Sequence, residues 1–439
     1  MRFLAVCVLL ISTACRSGSD LDLKFDIKQE TLSNGLKILF IEDHSAPVVS
    51  YQTWVRAGSV DEKDGGTGLA HLFEHLMFKG TKTHGPGAFF EQFEAKGSQV
   101  NAFTTRDYTV YYEVLPSALL PKAIELEADR LRGLNLDQKL LNSERLVVLE
   151  ERRLRVENSP EGKLQEAIWA LSFQSHPYGN PVIGTTQDLL TLDIERLVAF
   201  YDTYYQPSNI TLLVSGDFNR KETLALIRKH YGAFQKKKKP IRTVAREPEQ
   251  TGERRLIIRE ELASERFARA YHIPAAGESD SYALDVLSNI LFAGRSSRAH
   301  RRLVEEKQLL LSIGGTALTP AHPGLFVISG MLRGQHRTEE AEAALDQLLG
   351  ELETTSPVTP EEIKTAIRQL TVQIFDGIRT PHGLGQRIGT IDAILGDPEL
   401  YADEAEHYSR VTPADVTRVA REYLQPNNRS VVILRPGEK

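Results

Sequence analysis

The sequence predicts an α+β protein of two equivalent halves. Three observations carry that reading: short strand-like runs alternate with longer helical stretches, a basic run ending in proline interrupts the middle, and one segment recurs at the end of each half. Tyr204-Tyr205-Gln206-Pro207-Ser208-Asn209 returns half a chain later as Tyr423-Leu424-Gln425-Pro426-Asn427-Asn428. In both copies a helical stretch meets a Pro-Asn turn that breaks it and launches a strand, Leu212 to Ser215 or Ser430 to Leu434, as expected of a duplication. The 439 residues are 41% hydrophobic and 26% charged, an ordinary globular composition in a chain too long for one compact core. A net charge of -6 gives no concentrated basic face, so no nucleic acid is expected as a partner.

The first twenty residues read as a signal peptide and tether. Arg2 supplies positive charge, Phe3 to Ile11 are apolar, and the small residues Ser12-Thr13-Ala14 lead to Cys15. The apolar run falls short of the roughly 20 residues that span a bilayer, and no later stretch approaches that length. The only cysteines are Cys7, inside the run, and Cys15, so no intrachain disulfide is expected to survive processing. The small residues before Cys15 resemble a bacterial lipoprotein cleavage site, although Ser12 stands where leucine is usual. That resemblance implies a lipid anchor at Cys15. Arg16, in place of an aspartate, resembles the pattern of periplasmic lipoproteins carried to the outer membrane.

From about residue 21 the strand-like runs Leu36 to Ile41 and Val48 to Val55 precede the helical stretch Pro121 to Leu134. Residues 21–235 are expected to form the first domain. Lys236 to Lys239 and Pro240 lack apolar periodicity, so residues 236–250 read as a linker. Strand-like segments resume at Arg255 to Arg259, opening a second domain over residues 251–439.

The chemistry concentrates in one stretch. A glycine-rich turn, Gly65-Gly66-Thr67-Gly68, leads into Leu69-Ala70-His71-Leu72-Phe73-Glu74-His75-Leu76. On a helix His71 and His75 lie one turn apart on one face, so both imidazoles reach a common ion, and Glu74 lies beside that ion without ligating it. Zinc suits imidazole and carboxylate donors and leaves a position for a water, from which Glu74 can take a proton. A third ligand is needed. The helix-forming run Glu144 to Arg153 places Glu144 and Glu151, seven apart, on one face, and either could complete the site. His84 and His176 are further lone histidines.

The order His71-x-x-Glu74-His75 resembles the pitrilysin/insulinase family of zinc metallopeptidases, the inverzincins, which includes insulin-degrading enzyme and mitochondrial processing peptidase. The resemblance implies a Zn2+ cofactor held by His71, His75 and Glu151, with Glu150 the fallback. It implies catalytic roles for Glu74, which would activate the water, and for Glu144 at the family's accessory position. Gly97 to Thr105 followed by Asp107-Tyr108-Thr109 is similar to the family's active-site edge strand. An exposed sheet edge offers unpaired backbone groups to an extended peptide substrate, and Asn101, Ala102, Phe103 and Thr104 are the implied substrate contacts. His176 to Gly179, Gly184, Phe200-Tyr201 and Gly216-Asp217 extend the similarity over most of residues 25 to 235. The implied fold is two homologous α+β domains, each a mixed or largely antiparallel sheet covered by helices, clasped around a chamber.

The second half matches less closely. Phe292 to Arg298 and Glu305-Glu306-Lys307-Gln308 lie where complete family sites supply an arginine and, seven residues on, a tyrosine to hold substrate and oxyanion. Here those positions carry Glu305 and Ser312, or Arg302 and Leu309 in the other register. The resemblance therefore implies a heterodimer of the bacterial two-subunit type, with a homologous partner subunit supplying the arginine and tyrosine. The expected function is endopeptidase cleavage of unfolded peptides or targeting segments. The alternative is a non-catalytic, chaperone-like scaffold of the same fold.

Overall fold

Two sheets of like topology organise the chain. The computed structural model describes residues 24–437 apart from Asp64 and Gln335; the expected leader and the expected lipid anchor at Cys15 lie outside the described residues. Six strands build the first sheet: β1 (Lys28–Thr31), β2 (Lys37–Glu42), β3 (Val48–Val55), β4 (Gln99–Thr104), β5 (Thr109–Pro116) and β6 (Ile210–Gly216). Their order is β1-β2-β6-β3-β5-β4. The second sheet uses β7 (Arg254–Glu260), β8 (Arg266–Ile273), β9 (Leu310–Leu318), β10 (Gly324–Leu332) and β11 (Arg429–Pro436), ordered β7-β11-β8-β10-β9. Each sheet has one parallel pair, β2 with β6 and β7 with β11, while the other ladders are antiparallel. The recurrent Pro-Asn turn launches β6 in one half and β11 in the other, the repeated placement that the sequence implies.

The helices of the first half are α1 (Leu69–Leu76), α2 (Ala88–Phe93), α3 (Leu120–Gly133), α4 (Gln138–Arg152), α5 (Pro160–Ser172), α6 (Thr186–Thr191), α7 (Ile194–Tyr204) and α8 (Arg220–Tyr231). Those of the second are α9 (Ser279–Phe292), α10 (Thr338–Glu351), α11 (Pro360–Gly377), α12 (Pro381–Leu395), α13 (Glu404–Ser409) and α14 (Pro413–Tyr423). Among the described residues no helix is long and apolar enough to cross a membrane.

Both faces of both sheets are covered, which is why strands such as Ile210–Gly216 are buried along their whole length rather than alternating with polar residues. Successive side chains of a strand point to opposite faces. Leu212 and Val214 accordingly join Ile38, Phe40 and Tyr51 against the first half's own helices, while Leu213 turns the other way with Leu39, Ile41 and Trp54. That second face is covered by α12, through Leu384 and Ile388. The exchange is reciprocal. Helix α5 covers the free face of the second sheet, where Leu164, Ile168 and Trp169 meet Ala268, Ala270, Val432 and Leu434. Each buried leucine or isoleucine on these faces contributes about 1.5–3 kcal/mol, so each half depends on a helix from the other. A division at residues 236–250 assigns α5 and α12 by sequence; their packing crosses that division.

The 236–250 segment carries neither helix nor strand. It is tied down rather than a free connector. Arg242 donates to both oxygens of Asp61 at 2.9 and 2.6 Å, and Glu247 accepts the backbone N–H groups of Gln174, Ser175 and His176.

Candidate metal centre

Helix α1 starts at Gly68, whose φ of 87° is a left-handed conformation that glycine adopts without strain. A Cβ there would lie 2.7 Å from the Cα of Gly184, so the helix start packs directly on the loop at 181–184. The buried Glu62 carboxylate caps the helix, accepting the N–H groups of Gly68 at 3.0 Å and Ala70 at 2.8 Å. Helix α4 begins at Asp137, whose side chain accepts the N–H of Leu140. Its far end is fixed by the largely buried Arg152, which donates to Glu166 on α5 and to the carbonyl of Gly184, both at 2.7 Å. The two metal-site helices are thus anchored to one loop.

Between them His71, His75 and Glu151 converge, with one donor atom from each within 4.8 Å of the others. The imidazole Nε2 of His75 lies 3.2 Å from one Glu151 oxygen, and that of His71 lies 3.8 Å from the other. Tetrahedral zinc with nitrogen and oxygen ligands holds its donors roughly 3.4 Å apart, so the cluster has the right span. Its protonation also fits. Burial, helped by the neighbouring His75, pushes the His71 imidazole down to about 4, leaving it neutral and free to donate a lone pair. Hydrogen bonding to His75 holds the Glu151 carboxyl below its usual range. No other group of three such side chains within reach of one ion occurs among the described residues.

Glu74 stands beside the cluster and accepts the Thr104 hydroxyl at 2.6 Å. Burial raises its pKa, partly offset by Thr104 and by His75, a shift in the direction that makes a carboxylate a better proton acceptor. Glu144 is buried behind His75, 3.8 Å from Nδ1, and accepts the Lys79 ammonium at 2.9 Å. It does not line the cavity, so its geometry is that of a group orienting a histidine rather than one meeting substrate. Glu150, the fallback ligand, points elsewhere and is held by Arg153.

The cluster opens into a cavity of about 820 Å3, whose lining residues all fall between His71 and Ile183. Asn101, Ala102, Phe103 and Thr104 line it together. They belong to β4, which pairs only with β5 and leaves its outer edge free. Within the strand their surroundings differ. The Asn101 side chain accepts the Ala102 N–H at 2.8 Å, Phe103 packs edge-on to Tyr108, and Thr104 serves Glu74. His84 pairs with Asp129, away from the cluster, and His176 lies where the halves meet.

Sequence reasoning missed Arg155, whose guanidinium lies 2.7 Å from Glu151 and lines the cavity. The i, i+4 spacing from Glu151 was the available signal. It also missed Phe78 and Phe90, which form an apolar wall, and the cap from Glu62, which comes from a loop ahead of the helix and leaves no local pattern.

Comparison with known proteins agrees with the fold and with a zinc-protease family. The family described as "Insulinase (Peptidase family M16)" matches residues 37–186, and "Peptidase M16 inactive domain" matches residues 191–370. The chain belongs to this peptidase family, M16. A Helicobacter pylori protein named zinc protease PqqE is 30% identical over 412 residues, 92% of each chain. The crystal structure of a protease from Helicobacter pylori superposes with a TM-score of 0.89 at 28% identity, covering 94% of this chain and all of that one. An Arabidopsis thaliana protein named probable mitochondrial-processing peptidase subunit beta is 30% identical over 265 residues, 60% of this chain and 49% of its own.

Proposed function

We propose that the chain is a zinc metallo-endopeptidase acting on unfolded peptides. The observation that carries this reading is the convergence of His71, His75 and Glu151 beside an unligated Glu74, all facing the free edge of β4 across one cavity. The three ligands would hold Zn2+, which when bound polarises the attacking water and the scissile carbonyl. The chain's own residues do the rest. An extended peptide adds to the edge of β4 through backbone hydrogen bonds, giving binding that depends little on sequence. Glu74 accepts the water proton and passes it to the leaving amine, with Thr104 fixing the carboxylate's orientation. Glu144 keeps His75 in its ligating orientation.

The reading extends to a heterodimer. No arginine and tyrosine seven apart occupy the second-half positions: Arg302 is engaged by Glu351 at 2.9 Å, and Glu305 sits near Arg295 and His300. Oxyanion donors typically contribute about a hundredfold or more to rate, so their supply by a homologous subunit explains how the site works without them in cis. The relative named subunit beta supports that arrangement. The leader supports action outside the cytoplasm, in the periplasm and tethered to the outer membrane through Cys15.

Hydrolysis of a quenched fluorescent peptide library by the zinc-loaded chain, alone and mixed with the product of an adjacent gene, tests both parts. Cleavage confined to the mixture is expected. Vigorous cleavage by the chain alone would refute the split site, and none in either case would favour the non-catalytic scaffold.

A further inference from the structure

The second half lines none of the cavity, yet besides packing α12 against Phe103 and Tyr108 it bonds a buried carboxylate at the end of the substrate edge. Asp107 lies in the turn from Thr105 to Tyr108, immediately beyond β4. The turn closes without its side chain. Thr105 N–H donates to the Tyr108 carbonyl at 2.9 Å, and the Thr105 hydroxyl accepts the N–H groups of Asp107 and Tyr108, each at 3.1 Å. The Asp107 carboxylate, 5% exposed, is therefore free to bond outward.

Its partners come from across the molecule. The Tyr178 hydroxyl, in the loop after α5, donates to it at 2.7 and 2.9 Å. The N–H of Ala321, in the β9–β10 connection of the second half, donates at 3.1 Å, and the next N–H, of His322, donates to the Tyr178 oxygen at 3.1 Å. Burial and the adjacent carboxylate push the Tyr178 hydroxyl above the usual phenol range, so it remains a donor. The linker's Arg242 holds the Asp107 carbonyl at 2.7 Å, but its strongest contacts go to Asp61, and it stays 3.5 Å from the Asp107 carboxylate. Arg106 in the same turn stacks on Trp169 of α5, 3.6 Å from the ring centre, and donates to the Tyr178 carbonyl.

We propose that Asp107 is a positioning residue: through Tyr178 and the Ala321 and His322 amides, the second half fixes the end of β4 and so the edge on which peptide binds. Asp107 lies three positions after Thr104, whose hydroxyl orients Glu74, so a shift of the turn passes to the edge and to the base together. An edge strand has neighbours on one side only, and pairing cannot set its outer register. A buried anion satisfied by donors from both halves supplies that constraint.

This inference rests on the reading of β4 as the peptide-binding edge, and its test separates the two. In the full zinc-loaded chain carrying Glu74→Gln, which leaves peptides intact, Asp107→Asn keeps the side chain's size but removes its charge and one acceptor. Affinity for fluorescein-labelled peptides from a casein digest should fall about tenfold, with zinc content unchanged and faster amide exchange across residues 99–104. Unchanged affinity, or weaker affinity with loss of zinc, would overturn the positioning role. Should the Glu74→Gln parent bind no peptide even when mixed with the product of the adjacent gene, the reading of β4 fails and this inference with it. Tyr178→Phe, which deletes only the hydroxyl between Asp107 and His322, is read the same way if Asp107→Asn does not fold.

Discussion

The two halves share a sheet topology and differ in what their first helix and edge strand carry. In the first half α1 has eight residues, starts on a left-handed glycine and presents His71, Glu74 and His75. In the second, α9 at the corresponding place has fourteen residues and buries Leu284, Leu287 and Leu291 in the core. Edge strand β4 faces the His71, His75 and Glu151 cluster; among the described residues edge strand β9 faces no such group. The correspondence extends to the exchanged helices, since α5 meets β8 and β11 while α12 meets β3 and β6, the matching strands of the other sheet. A duplicated scaffold can thus keep its packing symmetric and its chemistry one-sided. Packing asks only for apolar residues at strand and helix periods, whereas the site needs particular donors at particular atoms.

The largest effect that would break this comparison is on the base. Glu74→Gln should lower peptide hydrolysis by about a thousandfold while zinc stays at one per chain, measured by fluorescence and metal analysis. Loss of zinc together with activity would show instead that Glu74 is a ligand. The exchanged helices come next. A Cβ at Gly389 of α12 would lie 2.2 Å from the Trp54 ring, so Gly389→Ala should cost about 2 kcal/mol in urea unfolding, and an unchanged midpoint would mean that α12 does not seat on the first sheet as described.

Smaller effects sharpen the picture. Glu144→Gln should weaken zinc affinity about tenfold, read by competition with a chelator, because it loosens His75 without removing a ligand. The last concerns the junction of the halves. Burial, then His322, pushes His176 from 6.5 down to about 4. A histidine depressed in the folded state contributes stability present above its unfolded value and lost as pH falls towards the folded one. The urea midpoint should therefore decline between pH 6.5 and about 4, and His176→Gln should make that decline shallower.

Much of the site was legible because its signals are local. His71, Glu74 and His75 lie within five residues on one helix, and the seven-residue step from Glu144 to Glu151 places both on one face of another. Family resemblance, rather than spacing, implied Glu151 as the ligand and Glu144 as the accessory glutamate. The fold class, the recurrent Pro-Asn turn and the strands around Leu36, Val48, Leu212 and Ser430 followed from periodicity and turn chemistry. What periodicity could not reveal was partnership over long separations. An amphipathic helix announces that it buries a face, but α5 and α12 do not announce which sheet they cover. Asp107, Tyr178 and Ala321 likewise meet through three separate segments.

Zinc X-ray absorption of the full chain tests the central claim most directly. The account predicts a shell of nitrogen and oxygen donors at about 2.0–2.2 Å that includes two imidazoles, and loss of that zinc in His75→Ala. Zinc retained unchanged in His75→Ala, or a shell without imidazole, would contradict it.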